Sequence, residues 1–356
     1  MFHTIILMPK IFHGGAETQF RRFFENIEDC YIAALNKSSN RNALELREKY
    51  RDRILELNNP YKNVILFQIQ TYWNIFKSLY FYYDRFKGYN KLLVIYGAGT
   101  KWLILYPIIR AFGYKILYSE RNDGVHRFKY LYNIIEKCDI VTTNSIEAKE
   151  VIGKYVRKKP IHVINNGIII PQSQQKKHIV HNPLRVLVPA RIHSLKNQKI
   201  VIEALMDVLG VEVHFAGAID DVDYYEVLKG MIVHQNVEKK FLFDGFVNNM
   251  SDYYNNFDVV ILPSLSEGTP NVLLEGMAYN ILCIASDIPM NRRVLRDERF
   301  LFEPQYPQSL RQCFTNIRKL SESDKEDVIR NNLEYVKANY SVDKMVQSYY
   351  SLIESL

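Results

Sequence analysis

Residues 259–285 read VVILPSLSEGTPNVLLEGMAYNILCIA, and this stretch indicates the fold more clearly than any other part of the chain. It starts and ends with apolar runs, residues 259–262 and 282–285, which have the length of buried strands. Between them the pattern predicts a helix over residues 270–279. A strand, a helix and a second strand in this order are typical of a parallel sheet covered by helices on both faces.

The start of the predicted helix is suited to binding an anion. Thr269 is a favourable N-cap residue, and Pro270 fits the first helical position, where a missing N–H costs nothing. The backbone N–H groups of Asn271, Val272 and Leu273 are then expected to lack partners inside the helix. Together with the positive end of the helix dipole, these donors form a site for a phosphate group.

Two carboxylates flank this predicted anion site. Glu275 lies four residues after Asn271, on the same face of the helix, and Glu267 lies in the loop before the cap. Acceptors on both sides of a phosphate cradle suit a ligand with hydroxyls at both ends of a diphosphate, which describes a nucleotide sugar. The alternative is a surface helix with acids near its start, an arrangement that the helix dipole also favours.

Length and composition set the class of protein. A chain of 356 residues is long for a single core, so two domains are expected, and 47% hydrophobic and 24% charged residues are ordinary for a globular protein. The four cysteines form no CxxC pair, which argues against a zinc site or a disulfide framework and fits a reducing compartment. Without a signal-peptide pattern or an apolar run of ~18 residues, we expect a cytoplasmic location, including the inner face of the membrane.

Short apolar runs alternate with helical patterns twice along the chain. The first series predicts strands at residues 4–8, 31–35, 92–96, 116–119, 140–143 and 161–164, with helices at 17–27, 101–112, 128–137 and 146–154. The second series predicts strands at residues 185–189, 212–216, 241–243, 259–262, 282–285 and 300–302, with helices at 198–209, 224–233, 270–279 and 308–320.

Two such series predict an α/β protein with two doubly wound, Rossmann-like domains that face an interdomain cleft, where such folds bind ligands. The polar, proline-bounded stretch 171–183 is typical of a linker. We therefore expect an N-terminal domain over residues 1–172, to which the helical tail 341–356 is added, and a C-terminal domain over residues 173–340.

Two further loops carry groups that suit phosphate or sugar. Gly14 and Gly15 follow the first strand and open the first helix, where paired glycines let the backbone approach a ligand closely. Arg191 and Lys196 follow the first strand of the second domain, and each can reach an anion at the sheet edge. The alternatives are an ordinary turn for the glycines and a solvated loop for the two cations.

Two other patterns imitate a dinucleotide-binding loop and a metal-binding acid pair. Gly97-Ala-Gly99 follows a strand, as in a dinucleotide-binding fingerprint, but Trp102 occupies the third position, where close packing of helix on strand requires a small residue. Asp221 and Asp223 could be read as a metal-binding pair for a diphosphate. Their polar loop is more typical of solvated acids at a helix start, and we expect no metal site.

The net charge of +7 is concentrated in one region. Between Tyr61 and Lys115 there are eight Lys or Arg residues and one acid, Asp84, interleaved with many aromatic residues. This mixture suits the surface of an anionic membrane. Nucleic acid is a weaker alternative because no nucleic-acid motif accompanies the charge. The third interpretation is an amphipathic helix with a tyrosine-rich core face.

Taken in order, these motifs resemble the retaining GT-B glycosyltransferases of the Glu-x7-Glu family (glycosyltransferase family 4-like, group 1), which includes sucrose and mannosyl transferases. The resemblance covers nearly the full length. The strongest motif is the pair Glu267 and Glu275, supported by the other motifs in the family's order: Arg191 with Lys196, Gly14-Gly15, Asn166-Gly167 and Asp244-Gly245-Phe246-Val247.

The resemblance implies roles for individual residues. Glu267 would bind hydroxyls of the donor sugar, Glu275 the ribose, and Arg191 and Lys196 the diphosphate. On this basis the catalytic residues are expected to be Arg191, Lys196 and Glu267. The residues expected to bind the donor are Gly14, Gly15, Arg121, His126, Phe246, Val247, Gly268, Thr269, Asn271, Val272, Leu273 and Glu275.

One position departs from the family. Many relatives carry a histidine directly after the strand that corresponds to residues 116–119, near the 6-position of the sugar. In this chain Arg121 lies near that point, and His126 follows five residues later. Either could contact the donor, and a structural role for His126 is the competing interpretation.

The implied activity is transfer of a hexose from a UDP- or GDP-sugar to a glycan or lipid-linked glycan acceptor, with retention of configuration. No cofactor beyond the donor substrate and no metal are expected, because cations and N–H dipoles can stabilise the departing diphosphate. Peripheral contact with an anionic membrane is expected and nucleic acid is not. The competing functions are a nucleotide-sugar epimerase and a catalytically silent binding protein with the same fold. The tail helix is expected to pack on the first domain.

Overall fold

The computed structural model describes residues 2–11, 15–38, 41–121, 124–126, 128–171 and 181–356. The chain divides into two compact units, one formed by Met1–Gly167 with Val342–Leu356 and the other by Ile168–Ser341. The predicted linker, residues 171–183, lies largely outside the described residues, so its character stays a prediction.

The first unit is a seven-stranded parallel sheet with helices, as far as its described residues show, with strand order β3-β2-β1-β4-β5-β6-β7. Its strands are β1 (Phe2–Met8), β2 (Cys30–Ala34), β3 (Ile54–Glu56), β4 (Asn90–Tyr96), β5 (Tyr114–Glu120), β6 (Ile140–Thr143) and β7 (Ile161–Val163). Its first helices are α1 (Gly15–Glu25), α2 (Arg41–Lys49), α3 (Val64–Arg85), α4 (Tyr106–Ala111), α5 (Tyr130–Ile135) and α6 (Ile146–Gly153).

Two parts of this unit differ from the sequence prediction. The strand β3 was not predicted, because three residues on the edge of a sheet leave too short an apolar run. The helix predicted over residues 101–112 is a 3₁₀ helix, Gly97–Leu105, followed by α4. At the start of this segment a side chain on Gly99 would lie 2.5 Å from the ring of Trp102, which is buried. The Gly-Ala-Gly loop therefore does not open a regular α-helix of the dinucleotide-binding kind.

The second unit repeats the architecture with six parallel strands among its described residues, in the order β10-β9-β8-β11-β12-β13. The strands are β8 (Leu184–Pro189), β9 (Val211–Ala216), β10 (Phe241–Gly245), β11 (Val259–Leu262), β12 (Leu282–Ser286) and β13 (Leu301–Phe302). The helices are α7 (Gln198–Leu205), α8 (Val222–His234), α9 (Met250–Tyr254), α10 (Asn271–Ala278), α11 (Pro289–Val294), α12 (Pro307–Lys319) and α13 (Glu322–Tyr340).

The last helix, α14 (Val342–Glu354), belongs to the first unit. Its buried residues Met345, Val346, Tyr349 and Ile353 join the hydrophobic core beside α1, where the ring of Tyr349 meets that of Phe23 edge-on at a centroid distance of 4.9 Å. The first unit is therefore built from two separate parts of the chain. Among the described helices, none combines the length and the apolar character that a membrane span requires.

In each sheet the strand order reverses at one place, which we call the switch point. It lies between β1 and β4 in the first unit and between β8 and β11 in the second. In parallel α/β sheets the loops that leave such a point at the carboxyl ends of the strands diverge and bind ligands. In the second unit these are the loop after β8, which carries Arg191 and Lys196, and the loop after β11, which carries Glu267. The topology thus places the predicted cations and acid at one edge of one sheet.

Candidate functional site

The loops after β8 and β11 contact each other in the second unit. The Lys196 ammonium donates to Glu267, with Nζ 2.7 Å from Oε1. The backbone also joins the two loops, because the N–H of Leu265 donates to the carbonyl of Leu195 at 2.9 Å. Two residues that are 71 positions apart are therefore held side by side at the switch point of the sheet.

The backbone around Lys196 fixes the position of its side chain. A single 3₁₀ turn, Ser194–Lys196, ends at Asn197, which adopts the left-handed conformation with φ 53°. Asn tolerates this region better than most residues. Its side-chain amide donates to the carbonyl of Pro304 at 3.0 Å, and α7 starts at the next residue. The loop is therefore a defined turn and not a flexible connection.

The electrostatics of the pair suit an anionic ligand. The side chains of Lys196 and Glu267 are 24% and 13% exposed, so both charges are partly removed from water. A lysine ammonium has three N–H donors, and among the described residues only Glu267 accepts one. The other two donors are available to oxygen atoms of a ligand, while Glu267 keeps the ammonium in place.

Arg191 lies apart from this pair. Its guanidinium is 65% exposed and forms an ion pair with Asp220. The loop that carries it is tightly packed, because a side chain on Gly217 would lie 2.1 Å from the carbonyl oxygen of Ala190. An exposed ion pair contributes only about 0–1 kcal/mol, so Arg191 can exchange Asp220 for a ligand at little cost. Its role at the site stays a prediction.

The start of α10 differs from the prediction. The helix begins at Asn271, and the N-cap is Pro270, with φ −78° and ψ 66°, so Thr269 is not the N-cap and Pro270 is not the first helical residue. These angles are those of an inverse γ-turn, in which the N–H of Asn271 donates to the carbonyl of Thr269 at 2.8 Å. The N–H of Leu273 donates to Pro270 at 3.0 Å.

Of the three backbone N–H groups that were predicted to lack partners, two are therefore paired, and the prediction was wrong for Asn271 and Leu273. Val272 is the donor of this set that keeps no acceptor among the described residues. The residue before the turn, Gly268, is exposed, and a side chain there would meet nothing within 4 Å. The helix start is open, but it offers fewer free donors than a regular N-terminus.

Glu275 is held by a residue that the sequence did not indicate. The buried Tyr254 hydroxyl lies 3.1 Å from Glu275 Oε2 and donates to it. Burial, together with the neighbouring carboxylate of Glu275, raises the pKa of Tyr254 well above its ordinary value, so the phenol stays a donor. Directly after Glu275, a side chain on Gly276 would lie 2.9 Å from Cys283 Sγ and 3.2 Å from Val260 Cβ, so glycine lets α10 pack closely on the sheet.

The loop after β10 presents an aromatic ring to solvent. Phe246 is 62% exposed, whereas Val247 packs against the core of the second unit. The turn is made by Gly245 with φ 67°, a conformation that favours glycine. An exposed ring beside free backbone is compatible with contact to a nucleotide base, and this role stays a prediction.

Gly14 lies outside the described residues. Gly15 is the first residue of α1, and the structure describes nothing further about its surroundings.

Arg121 follows β5 in the first unit. One guanidinium nitrogen donates to Asn166 Oδ1 at 3.2 Å, and the group lies 5.0 Å from the ring centre of Phe20. Its Nε and Nη2 atoms are buried and have no hydrogen-bond partner among the described residues. Buried donors without partners cost free energy, which singles out these two atoms of Arg121 as unusual.

His126, by contrast, is part of a buried network. Its Nε2 lies 2.9 Å from Oε2 of Glu120, which is fully buried, and the hydroxyl of Tyr118 donates to the same oxygen at 2.6 Å. Thr100 lies 2.9 Å from that hydroxyl. These bonds favour a structural role for His126, whereas Arg121 keeps two donors without a partner among the described residues. Contact of either residue with the donor stays a prediction.

A histidine of the second unit lies between two acids. His214 lies between Glu212, 2.8 Å from its Nε2, and Asp244, 3.0 Å from its Nδ1.

Asp221 accepts from the N–H of Tyr224 and caps α8, as the interpretation of solvated helix-start acids expected. Within the described parts of the chain, no group of three or more His, Cys, Asp or Glu side chains could hold a metal ion.

Comparison with known proteins shows what parts of the chain are similar to. The second unit matches the glycosyl transferases group 1 over residues 169–333. The chain is 29% identical to an O-antigen chain mannosyltransferase of Salmonella typhimurium over 231 residues, which are 62% of this chain and 61% of that protein. It is 27% identical to a capsular polysaccharide biosynthesis glycosyltransferase of Staphylococcus aureus over 188 residues, 50% of this chain and 52% of that protein. Both matches span less than two thirds of the relative's length.

A solved structure matches the whole chain. The Anabaena protein HepE, crystallised in complex with UDP and glucose, superposes with a TM-score of 0.80 at 18% identity, covering 99% of this chain and 100% of that one. This likeness shows the fold. The predicted fold class, GT-B with two Rossmann-like domains of parallel strands, is confirmed.

Proposed function

We propose that this chain is a retaining glycosyltransferase that moves a hexose from a nucleotide diphosphate sugar to a glycan acceptor. The observation that carries the proposal is the contact between Lys196 and Glu267 at the switch point of the second sheet. This site lies within the part of the chain, residues 169–333, that matches the group 1 family. The relatives that are named for O-antigen and capsular polysaccharide support a role in polysaccharide or glycoconjugate biosynthesis.

The chemistry assigns a role to each charged group. The acceptor oxygen bonds to the anomeric carbon while the bond from that carbon to the diphosphate breaks, and the diphosphate leaves with the electron pair. Lys196, the N–H of Val272 and Arg191 neutralise the charge that develops on the leaving oxygen atoms. The acceptor attacks the face of the sugar from which the diphosphate departs, so configuration is retained. The proton of the acceptor hydroxyl passes to the departing diphosphate. Glu267 orients Lys196 and accepts hydrogen bonds from sugar hydroxyls.

This distribution of roles makes a metal ion unnecessary. Donor binding through Lys196, Arg191 and the N–H of Val272 supplies the positive charge that Mg²⁺ supplies in other phosphate sites. We propose UDP-sugars as the first donors to test, since HepE was solved with UDP and glucose, and GDP-sugars as the second.

The proposal is tested by a thermal-shift screen with UDP- and GDP-sugars, repeated with EDTA, followed by NMR of the product formed from the stabilising donor. A ligand at 100 times its dissociation constant stabilises by about 2.7 kcal/mol, so a true donor separates clearly from the others. We expect stabilisation that survives EDTA and an α-linked product from an α-linked donor. Stabilisation that EDTA abolishes would contradict metal independence, and an inverted product would contradict retention.

The same assay separates the competing functions. An epimerase yields a changed nucleotide sugar without any acceptor, and a silent binding protein is stabilised by the donor but releases no nucleotide. Either result would overturn the transferase proposal.

A further inference from the structure

One face of α3 is apolar and exposed to solvent. The side chains that form it, here called the α3 face, are spaced by three or four positions and therefore lie along one side of the helix: Ile65, Ile69, Trp73, Phe76 and Tyr80. They are 38% to 70% exposed. Scattered exposed apolar residues are ordinary, but a continuous stripe of this kind marks an interaction surface.

A groove runs beside the α3 face. It is lined by Ile69, Trp73 and Phe76 of α3 and by Leu105 and Ile108 at the start of α4, and it encloses about 330 Å³. This volume falls at the lower end of the roughly 300–1,000 Å³ typical of ligand pockets. Trp73 and Phe76 stack at 5.6 Å between ring centres and form one wall. With an apolar lining, the groove suits a hydrocarbon chain better than a sugar.

Positive charge accompanies this apolar surface. The ammonium of Lys77 lies 5.5 Å from the ring centre of Trp73, and the exposed Lys62 and Lys87 lie just before and just after α3 in the chain. Asp84 is the one acid between Tyr61 and Lys115. Aromatic rings at headgroup depth with cations beside them are the arrangement that binds an anionic membrane surface.

We propose that the α3 face docks the protein onto an anionic lipid bilayer, with Trp73 at headgroup depth and a hydrocarbon chain of one lipid in the groove. A second copy of the chain is a poorer occupant, because a two-fold interface brings each patch against itself and would oppose the lysines of one copy with those of the other. A bilayer supplies apolar chains and negative charge together.

This docking also narrows the acceptor class. If the proposed transferase activity holds, an enzyme attached through its first unit takes an acceptor that is itself anchored in the membrane, which is a lipid-linked glycan. That step rests on the proposed function, whereas the docking does not. Vesicle binding without donor or acceptor therefore tests the docking alone.

The chain offers a direct probe, because its two tryptophans differ in surroundings. Trp73 is 51% exposed on the α3 face, and Trp102 is 3% exposed in the core of the first unit. Vesicles of phosphatidylcholine with phosphatidylglycerol are expected to shift the fluorescence of the full-length protein to shorter wavelength. The Trp73→Phe variant keeps an aromatic ring but is expected to lose this shift, since only Trp102 remains.

Sedimentation with the same vesicles then measures affinity. Ile69→Asp places a negative charge on the α3 face, and we expect partitioning to fall by roughly tenfold or more, because apolar burial is lost and the new charge meets anionic lipid. The matched control is Val227→Asp on an exposed face of α8 in the second unit, which is expected to bind as the wild type does.

Three results would overturn the proposal. The first is the absence of binding to anionic vesicles, and the second is equal binding to vesicles of phosphatidylcholine alone. The third is a dimer in analytical ultracentrifugation that Ile69→Asp disperses, which would assign the α3 face to a second copy. Loss of sugar transfer with intact vesicle binding would instead refute only the proposed function.

Discussion

At the scale of single residues, Lys196 and Glu267 depend on each other, since each neutralises a partly buried charge of the other. We expect Lys196→Ala to lower kcat for sugar transfer by roughly 10²–10³, the loss typical when one group that stabilises developing negative charge is removed. Steady-state kinetics with the donor identified by the thermal-shift screen measures this effect.

The matched control is Lys199→Ala, three residues along the chain. Lys199 is half exposed, and its ammonium pairs with Glu203, one turn further along α7. This variant is expected to keep wild-type kcat. If Lys196→Ala and the wild type had equal kcat, Lys196 would have no role in stabilising the leaving diphosphate.

His214 makes the stability of the second unit depend on pH. Burial alone would lower the pKa of His214, but hydrogen bonds to Asp244 and Glu212 outweigh burial and raise it above the ordinary value. The folded protein therefore keeps the proton to higher pH than the unfolded chain, whose histidine titrates near about 6.5. This contribution is fully present below that pH and is lost as pH rises through the folded pKa.

We expect His214→Gln to reduce the free energy of unfolding by about 1–3 kcal/mol at pH 6 and by less at pH 9, because the bonds lost at pH 6 involve charged groups. Urea unfolding at the two pH values measures the difference. The exposed His234→Gln on α8 serves as the control and is expected to change little at either pH. If the loss of unfolding free energy in His214→Gln grew with pH, the raised pKa of His214 in the folded protein would be contradicted.

At the scale of elements, the position of α10 depends on one glycine. Gly276→Ala would bring a methyl group within 3.2 Å of Val260 Cβ on β11, so the helix must shift. We expect a loss of about 1–3 kcal/mol in the free energy of unfolding and weaker donor binding, since Glu275 moves with the helix. Thermal unfolding and donor titration measure the two effects.

The control is Gly230→Ala in the middle of α8, where an added methyl group meets nothing within 4 Å. Alanine is the better helix former there, so this variant is expected to gain about 0.5–1 kcal/mol. If both substitutions stabilised the protein, close packing of α10 on the sheet would be refuted.

The elements that the sequence could predict are those with a strong local pattern. Buried parallel strands such as β8 and β11 appear as apolar runs, and their alternation with helices predicts a parallel sheet. The start of α10 could not be predicted, because Thr269 and Pro270 satisfy the rules for a cap while the chain forms a γ-turn instead. Local rules do not decide between two turns that the same residues permit.

In the candidate site, too, some residues could be predicted from the sequence and others could not. Lys196 and Glu267 were predicted because each lies in a loop that follows a predicted strand, next to a helix start that suits an anion. The contact of Tyr254 with Glu275 could not be predicted, since it joins positions 21 residues apart and no local motif marks Tyr254. Asn166 belongs to a motif that the sequence offered, but its contact with Arg121, 45 residues away, was not indicated. The pairing of His126 with the buried carboxylate of Glu120, which favours a structural role for His126 over donor contact, is likewise revealed only by the folded structure.

At the scale of the whole molecule, the first unit is completed by the last helix of the chain. Tyr349 of α14 is 1% exposed, and its neighbour Tyr350 is 40% exposed. We expect Tyr349→Ala to cost about 3–5 kcal/mol of unfolding free energy, and Tyr350→Ala to stay within about 0.5 kcal/mol of the wild type. Calorimetric unfolding of the full chain measures both, and similar losses for the two variants would argue against the packing of α14 in the core.

Calorimetric titration measures whether the switch point of the second sheet binds the diphosphate of a nucleotide sugar. Wild-type protein is titrated with UDP and UMP, and with GDP and GMP, and the series is repeated with Lys196→Ala. A charge-assisted bond contributes about 1.5–3 kcal/mol, so we predict that one diphosphate binds roughly tenfold or more tightly than its monophosphate and that Lys196→Ala removes most of this preference. Failure of both diphosphates to bind, or an unchanged preference in the variant, would contradict the account.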